Sequence, residues 1–300
     1  MVKYTIEKLL KDGLNIIEKR DYNNPFLDVQ LILSYLLHKD RIYLHINKDE
    51  EVEKNVSEKY YEMVERRNIG YPLQYMINSQ EFMGLDFFVQ DGVLVPRPDT
   101  EILVEKIINI VNHFKQKNKK IKILDIGTGS GAIALSLGYY LKNSFVTAVD
   151  VSDIAIETAK INADRLSVSN VSIIKADVFS DVININKINN INEVEEYDII
   201  VSNPPYIETS VIENLQTEVS KYEPKIALDG GVDGLDFYRR IVEVFKFMHS
   251  KDGILAVEIG HNQKKEVIKI FEDAELFSKI ETDKDLSGND RVITGYFGAI

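Results

Sequence analysis

Apolar residues recur three and four positions apart through the first seventy residues: Ile6, Leu9, Leu10 and Ile17, then Phe26, Val29, Leu33, Leu36 and Leu37, then Val52, Val56, Tyr60 and Val64. That spacing is helical, and it predicts a small bundle of amphipathic helices. Asn24-Pro25 offers a cap and a first-turn proline to the second helix, while Gly70 and Pro72 stop the last one. From Gln80 to Val95 the pattern turns to aromatic and β-branched residues around Gly84 and Asp91-Gly92, which suits a hairpin leading into Val95-Pro96-Arg97-Pro98.

Beyond Thr100 strand and helix patterns alternate. Strands are expected at Ile121 to Ile126, Phe145 to Val149, Val171 to Lys175, Asp198 to Ser202 and Ile254 to Ile259. Helices are expected at Ser130 to Leu141, Ser152 to Leu166, Leu235 to Met248 and Gln263 to Asp273. Such alternation means α/β architecture, a parallel sheet with helices on both faces. The tail, Ile280 to Thr282 and Arg291 to Phe297 around Ser287-Gly288-Asn289, reads instead as a closing antiparallel hairpin. An Asn- and Ile-rich stretch from Val182 to Glu196 has no clean period and reads as a tolerated surface insertion.

Composition narrows the function classes. The chain has 300 residues, 44% of them hydrophobic, which is enough for about two domains with packed cores. Its formal charge of −12 disfavours an electrostatic grip on nucleic acid, so none is expected. With no cysteine, disulfides, zinc-thiolate sites and cysteine nucleophiles are excluded, and a reducing cytoplasm is the expected compartment. Lys3, Glu7, Lys8 and Lys11 interrupt any signal-peptide core in Met1 to Gly13, and no apolar run is long enough for a membrane span. The five histidines, His38, His45, His113, His249 and His261, show no ligand spacing, so no metal site is proposed.

The first candidate chemistry lies where the first parallel strand meets its helix, at Leu124-Asp125-Ile126-Gly127-Thr128-Gly129-Ser130-Gly131-Ala132. Glycines there let backbone approach a nucleotide-like ligand with no Cβ in the way. Asp150 ends the second strand nineteen positions past Gly131, where a carboxylate can accept from both hydroxyls of a ribose. Gly127, Gly129 and Ala132 also satisfy the dinucleotide fingerprint, so the glycines alone fit NAD and S-adenosylmethionine equally. After the third strand, Asp177 could accept from an adenine amine, with Val178 and Phe179 as an apolar face; a helix cap or solvated turn is the alternative for Asp177.

The discriminating residues end the fourth strand: Ile200-Val201-Ser202-Asn203-Pro204-Pro205-Tyr206. Two prolines cannot continue a ladder, so the backbone must leave the sheet there. Neither proline carries an N–H, so the carbonyls before and between them can point at a ligand, and Asn203 adds a side-chain acceptor. Together these oxygens suit a planar NH₂ group, with Tyr206 placed to cover its flat face. That is the chemistry of methylating an amide or a ring amino group, whose lone pair is otherwise delocalised.

With these residues in view the chain resembles the bacterial peptide chain release factor glutamine methyltransferases, within the class I S-adenosylmethionine-dependent methyltransferases. The resemblance runs through Pro72-Leu73-Gln74-Tyr75, Pro96-Arg97-Pro98-Asp99-Thr100-Glu101, the Leu124 to Gly131 turn and Asn203-Pro204-Pro205-Tyr206. It continues through Glu223-Pro224, Ala227-Leu228, Gly230-Gly231 and Asp233-Gly234-Leu235, and closes with Glu258-Ile259-Gly260, Gln263, Asp285 to Gly288 and Asp290-Arg291. It implies a Rossmann-like seven-stranded class I methyltransferase domain over 99–300, a helical substrate-docking domain over 1–70 and a hairpin linker over 71–98.

The same resemblance implies that Gly127, Thr128, Gly129, Ser130, Gly131, Asp150, Asp177, Val178 and Phe179 hold S-adenosylmethionine, and that Asn203 touches cofactor and substrate. Relatives often carry a large aromatic where this chain has Val178, so Phe179 is expected to take part of that role. Asn203, Pro204, Pro205 and Tyr206 would form the catalytic pocket. The implied substrate is the glutamine of a Gly-Gly-Gln motif in class I release factors, methylated on its side-chain nitrogen. A glutamine on a ribosomal protein is the nearer alternative, and an amino group on a nucleic acid base the more distant one. Arg97 and Glu101 look like an ion pair or helix-entry contact near the cleft, and Glu258 like a supporting residue behind it.

Overall fold

The computed structural model describes residues 4–113, 120–180 and 196–298, so almost all of the expected insertion between Val182 and Glu196 lies outside the described residues. The chain forms two compact units, one of Met1–Ser79 with Leu215–Tyr222, the other of Gln80–Asn214 with Glu223–Ile300.

The first unit is helical. Its helices run Ile6–Ile16, Pro25–Leu37, Arg41–Ile46, Lys54–Asn68 and Leu73–Ile77, joined by the later segment Thr217–Tyr222. Capping explains the starts: Thr5, Asn24 and Asp40 side chains each accept a backbone N–H of the first turn, and Pro25 opens the second helix. The two short helices escape a periodicity search because five or six residues carry too few repeats. Ile6, Leu9, Val29, Leu33, Tyr60 and Val64, all expected on apolar faces, are fully buried together. Arg67 is buried beside them, donating to Asp28 at 2.7 Å, to Glu218 at 2.9 Å and to the carbonyl of Tyr71 at 3.1 Å.

In the second unit a two-stranded hairpin comes first, β1 (Gln80–Phe82) and β2 (Leu85–Phe87). It is shorter than the Gln80 to Val95 pattern suggests, because the chain reverses at Met83-Gly84, both with positive φ, whereas Asp91-Gly92 makes a separate turn. Seven strands follow: β3 (Ile121–Ile126), β4 (Ser144–Asp150), β5 (Val171–Lys175), β6 (Tyr197–Ser202), β7 (His249–Glu258), β8 (Lys279–Lys284) and β9 (Asp290–Tyr296). Their order is β5-β4-β3-β6-β7-β9-β8, parallel except that β9 runs antiparallel between β7 and β8. This is the seven-stranded Rossmann-like sheet expected of a class I methyltransferase, with the closing hairpin in place.

The inner strands β3 and β6 are buried along almost their whole length, which is why their sequences are rich in Ile, Leu and Val. One apolar layer packs Leu103, Ile107, Leu135 and Leu137 on one face, and the other packs Tyr238, Ile241, Phe245 and Phe271 on the opposite face. Strand order reverses between β3 and β6, so the carboxyl ends of these neighbours open a crevice there.

Candidate functional site

At that crevice β3 ends in Ile126 and the backbone turns through Gly127, Gly129 and Gly131, all with positive φ. The N–H groups of Gly127 and Thr128 both reach the carbonyl of Val149, at 2.9 and 3.0 Å, which ties the turn to β4. The Thr128 hydroxyl donates to the buried Asp125 at 2.7 Å. Asp150 receives the N–H of Gly129 on one oxygen and that of Ser152 on the other, both at 2.9 Å, while burial pushes its carboxyl above the ordinary range. Each oxygen keeps a lone pair for a further donor.

Glycine has two separate uses here. A Cβ built on Gly127 or Gly129 would meet nothing within 4 Å, and both residues line the large pocket of the sheet's carboxyl edge. A Cβ on Gly131 would sit 2.8 Å from Leu135 Cδ1 and 3.2 Å from Ala159 Cβ, and Gly131 is not on the pocket wall. The first two glycines leave room for a ligand; the third lets the next helix close onto the sheet.

Gly127, Thr128, Gly129, Ser130, Asp150, Asp177, Val178, Phe179, Asn203, Pro204 and Pro205 all line this one pocket. Asp177 accepts the N–H of Phe179 at 2.9 Å and the hydroxyl of Ser180 at 3.1 Å, so its carboxylate also braces the local turn. Val178 is buried and Phe179 half exposed, its ring edge-on to Phe237 with centroids 5.0 Å apart. Phe237 also lines the pocket. It sits on the first turn of helix Asp236–Met248, where its apolar spacing reads as core, so sequence gave no sign of this second aromatic wall.

Beyond β6, Ser202 donates to the carbonyl of Ile126 at 2.7 Å and holds the two strand ends together. Among the described residues no donor meets the carbonyls of Asn203 and Pro204. The carbonyl of Tyr206, by contrast, receives Gln263 Nε2 at 2.9 Å. Gly230 packs so tightly under this segment that a Cβ would lie 2.8 Å from Tyr206 Cα and 2.9 Å from the Pro205 oxygen. That close approach accounts for Gly230, the positive φ and the neighbouring Asp236 for Gly231, and the hydrogen bond to Tyr206 for Gln263, roles that sequence alone left open.

Tyr206 is not on the pocket wall. Its ring packs against the apolar layer around Tyr238, its hydroxyl lies 3.4 Å from Glu258 Oε1, and burial raises its phenol well above the ordinary range. The expected contact between Arg97 and Glu101 does not form. Arg97 pairs with the buried Glu223, and Glu101 accepts the N–H of Met83 at 2.6 Å, pinning the hairpin turn. Thr100, a pocket residue that sequence reading passed over, accepts from Asn203 Nδ2 at 3.0 Å and donates to Glu258 at 2.6 Å.

Comparison with known proteins bears on this geometry. Residues 8–77 match the PrmC N-terminal domain model, and residues 106–221 match the methyltransferase small domain. A release factor glutamine methyltransferase of Clostridium acetobutylicum is 43% identical over 94% of this chain and 95% of its own length. Proteins of the same name from Clostridium botulinum and Geobacter sulfurreducens are 38% and 37% identical, over 96% and 98% of this chain and 98% of each relative. The chain belongs to the release factor glutamine methyltransferases.

As a methyltransferase of this family it uses S-adenosylmethionine, and the open glycine cradle beside Asp150 fits a nucleoside with a charged tail. Gly129→Ala is expected to weaken S-adenosylhomocysteine binding more than tenfold, because the new methyl enters the cradle, while costing about 1–2 kcal/mol of stability for its positive φ. Gly131→Ala is expected to do the reverse, losing about 1–3 kcal/mol through overpacking with affinity changed little. Calorimetric binding and urea unfolding on both variants check the split.

Proposed function

We propose that this chain methylates the side-chain amide nitrogen of the glutamine in the Gly-Gly-Gln motif of class I peptide chain release factors. The observation that carries the reading is the donor-poor cluster of oxygens at the end of β6, the Asn203 side chain with the Asn203 and Pro204 carbonyls, beside the glycine cradle.

S-adenosylmethionine, when bound, supplies a methyl group on a sulfonium centre that departs without help from a protein acid. The residues proposed to hold it are Gly127, Thr128, Gly129 and Ser130 at the turn, Asp150 for the ribose, and Asp177, Val178, Phe179 and Phe237 around the base. An amide nitrogen is a weak nucleophile because its lone pair is shared with the carbonyl. Asn203 Oδ1 and the Pro204 carbonyl accept its two N–H bonds, favour a pyramidal nitrogen and free the lone pair for attack. The nitrogen becomes acidic once methylated, so its proton leaves without a strong base.

Only the Asn203 to Pro205 end of the pocket is assigned to the substrate amide, and we assign recognition of the release factor beyond its glutamine to the helical unit. Translation takes place in the cytoplasm, where the enzyme is proposed to work; no helix among the described residues is long and apolar enough to cross a membrane. The net charge of −12 argues against a nucleic acid substrate.

Incubation with labelled S-adenosylmethionine and either an intact class I release factor or a short Gly-Gly-Gln peptide tests the reading by peptide mass spectrometry. A methyl group on that glutamine, with a lower KM for the intact factor, is expected. Cofactor binding without methylation of the factor would move a glutamine on a ribosomal protein ahead. Equal KM values would remove the docking role of the helical unit.

A further inference from the structure

Three side chains from distant parts of the sequence form a line behind the proposed substrate amide: Asn203 Nδ2 to Thr100 Oγ1 at 3.0 Å, and Thr100 Oγ1 to Glu258 Oε2 at 2.6 Å. Thr100 and Glu258 are almost fully buried, at 4% and 1% exposure. A hydroxyl has one proton to give. If that proton is committed to a carboxylate, the hydroxyl oxygen can only accept from its other neighbour. The Asn203 carboxamide must then turn its NH₂ toward Thr100, which leaves Oδ1 as the group offered elsewhere.

We infer that Thr100 and Glu258 are positioning residues that lock the Asn203 carboxamide with its oxygen toward the substrate. The inference rests on the proposed substrate, an amide NH₂ that offers only donors to this part of the pocket. A flipped Asn203 would present donor to donor and lose the contact on which the reaction depends. The hydrogen-bond count fixes the amide's direction independently of how its oxygen and nitrogen are placed.

The lock holds while Glu258 is ionised. Burial pushes its carboxyl up to about 7, against the Thr100 hydrogen bond and the nearby Arg291, which favour the charged form; Asp99 opposes them. Arg291 is shared with Asp99 and Asp285, both at 3.1 Å, and the Tyr206 hydroxyl faces the other Glu258 oxygen. Tyr238 donates to the Glu258 backbone carbonyl at 3.0 Å, and Arg97 favours the charged form of the neighbouring Tyr206. Protonation removes the acceptor that fixes the Thr100 proton, and the hydroxyl is then free to donate to Asn203 Oδ1. Activity therefore falls as pH drops through the Glu258 pKa, with the deprotonated form the active one.

Thr100→Val keeps the shape and removes the relay, while Thr100→Ser keeps the hydroxyl. In the full-length enzyme, Thr100→Val should lower kcat about 10–100-fold, a size typical of a misaligned reacting group, with S-adenosylhomocysteine affinity within about threefold. Thr100→Ser should restore the rate. The wild-type rate should decline below about pH 7, and Thr100→Val should lose that dependence, because valine cannot report the charge of Glu258 to Asn203. A role in packing alone would not remove the pH limb.

Nitrogen-15 NMR of the Asn203 side-chain NH₂, assigned by its absence in Asn203→Ala, gives a readout that needs no substrate. Its signals should titrate with a midpoint near 7 in wild type and stay fixed in Thr100→Val. Unmoved wild-type signals, or a Thr100→Val enzyme with wild-type kcat and an intact acid limb, would overturn the inference. A wild-type enzyme that shows the titrating amide yet leaves the release factor unmethylated would count against the proposed substrate and for the relay.

Discussion

Asn203→Ala reduces methyl transfer by about 10²–10³-fold while S-adenosylhomocysteine still binds within a few-fold of wild type; this is the expected result of removing one preorganised acceptor from the reacting nitrogen. Alanine leaves the Pro204 carbonyl as a single acceptor, too little to hold an NH₂ group by both its hydrogens. The loss should fall on kcat, because the acceptors matter most as the nitrogen becomes pyramidal. Asn203→Asp is the informative companion. Its carboxylate keeps an acceptor but brings a second negative charge behind Glu258, across Thr100, so the two acids compete for one hydroxyl proton. Steady-state kinetics with the intact release factor, beside calorimetric cofactor binding, check both. A change in cofactor affinity as large as the change in rate would place Asn203 in cofactor binding instead.

The second large effect is on stability, in the helical unit. Arg67→Met removes the guanidinium that pairs with buried Asp28 and also reaches Glu218 and the Tyr71 carbonyl. An uncompensated buried carboxylate costs about 3–5 kcal/mol. Burial already raises the Asp28 carboxyl even with Arg67 beside it, so without the cation the neutral form gains further. A group whose pKa is raised on folding stabilises the protein at low pH and loses that contribution as pH rises through the folded value. The Arg67→Met defect is therefore expected to shrink on acidification, and adding Asp28→Asn should recover much of it at neutral pH. Urea unfolding of the two single variants and the double variant at two pH values measures the coupling.

Strands β3 and β6 were legible because burial on both faces concentrates Ile, Leu and Val in them, β4 and the edge strand β5 because β-branched residues recur between turn signals, and each ends within a residue of its expected position. The glycine turn was legible for a different reason, since positive φ and close approach restrict residue type directly. Strand β7 was harder: His249 to Asp252 are polar or charged, yet the ladder with β6 begins at His249, before the apolar stretch, with an irregular register beside Tyr197. Pairing with a neighbour decided that end, and pairing is not written in local pattern. The same holds in the site. Asn203 and the two prolines announced themselves by chemistry, but Thr100 looks like any helix-entry threonine and Phe237 like any core aromatic. Arg97 and Glu101 sit four apart and suggest each other, while the fold gives Arg97 to Glu223, 126 positions away.

The helical unit is discontinuous, with Leu215–Tyr222 joining Met1–Ser79. That has a consequence for the order of events during synthesis. Glu218, one of the two carboxylates that neutralise Arg67, is made after β3 to β6 and after the Asn203 segment. The amino-terminal helices therefore leave the ribosome with a buried cation half satisfied, and the unit closes only when most of the sheet has been translated. Domains usually mature from the amino end as they emerge. Here the first part of the chain to appear is among the last to be finished, and a graft of these helices onto another enzyme keeps the Arg67–Glu218 pair only if it carries both pieces.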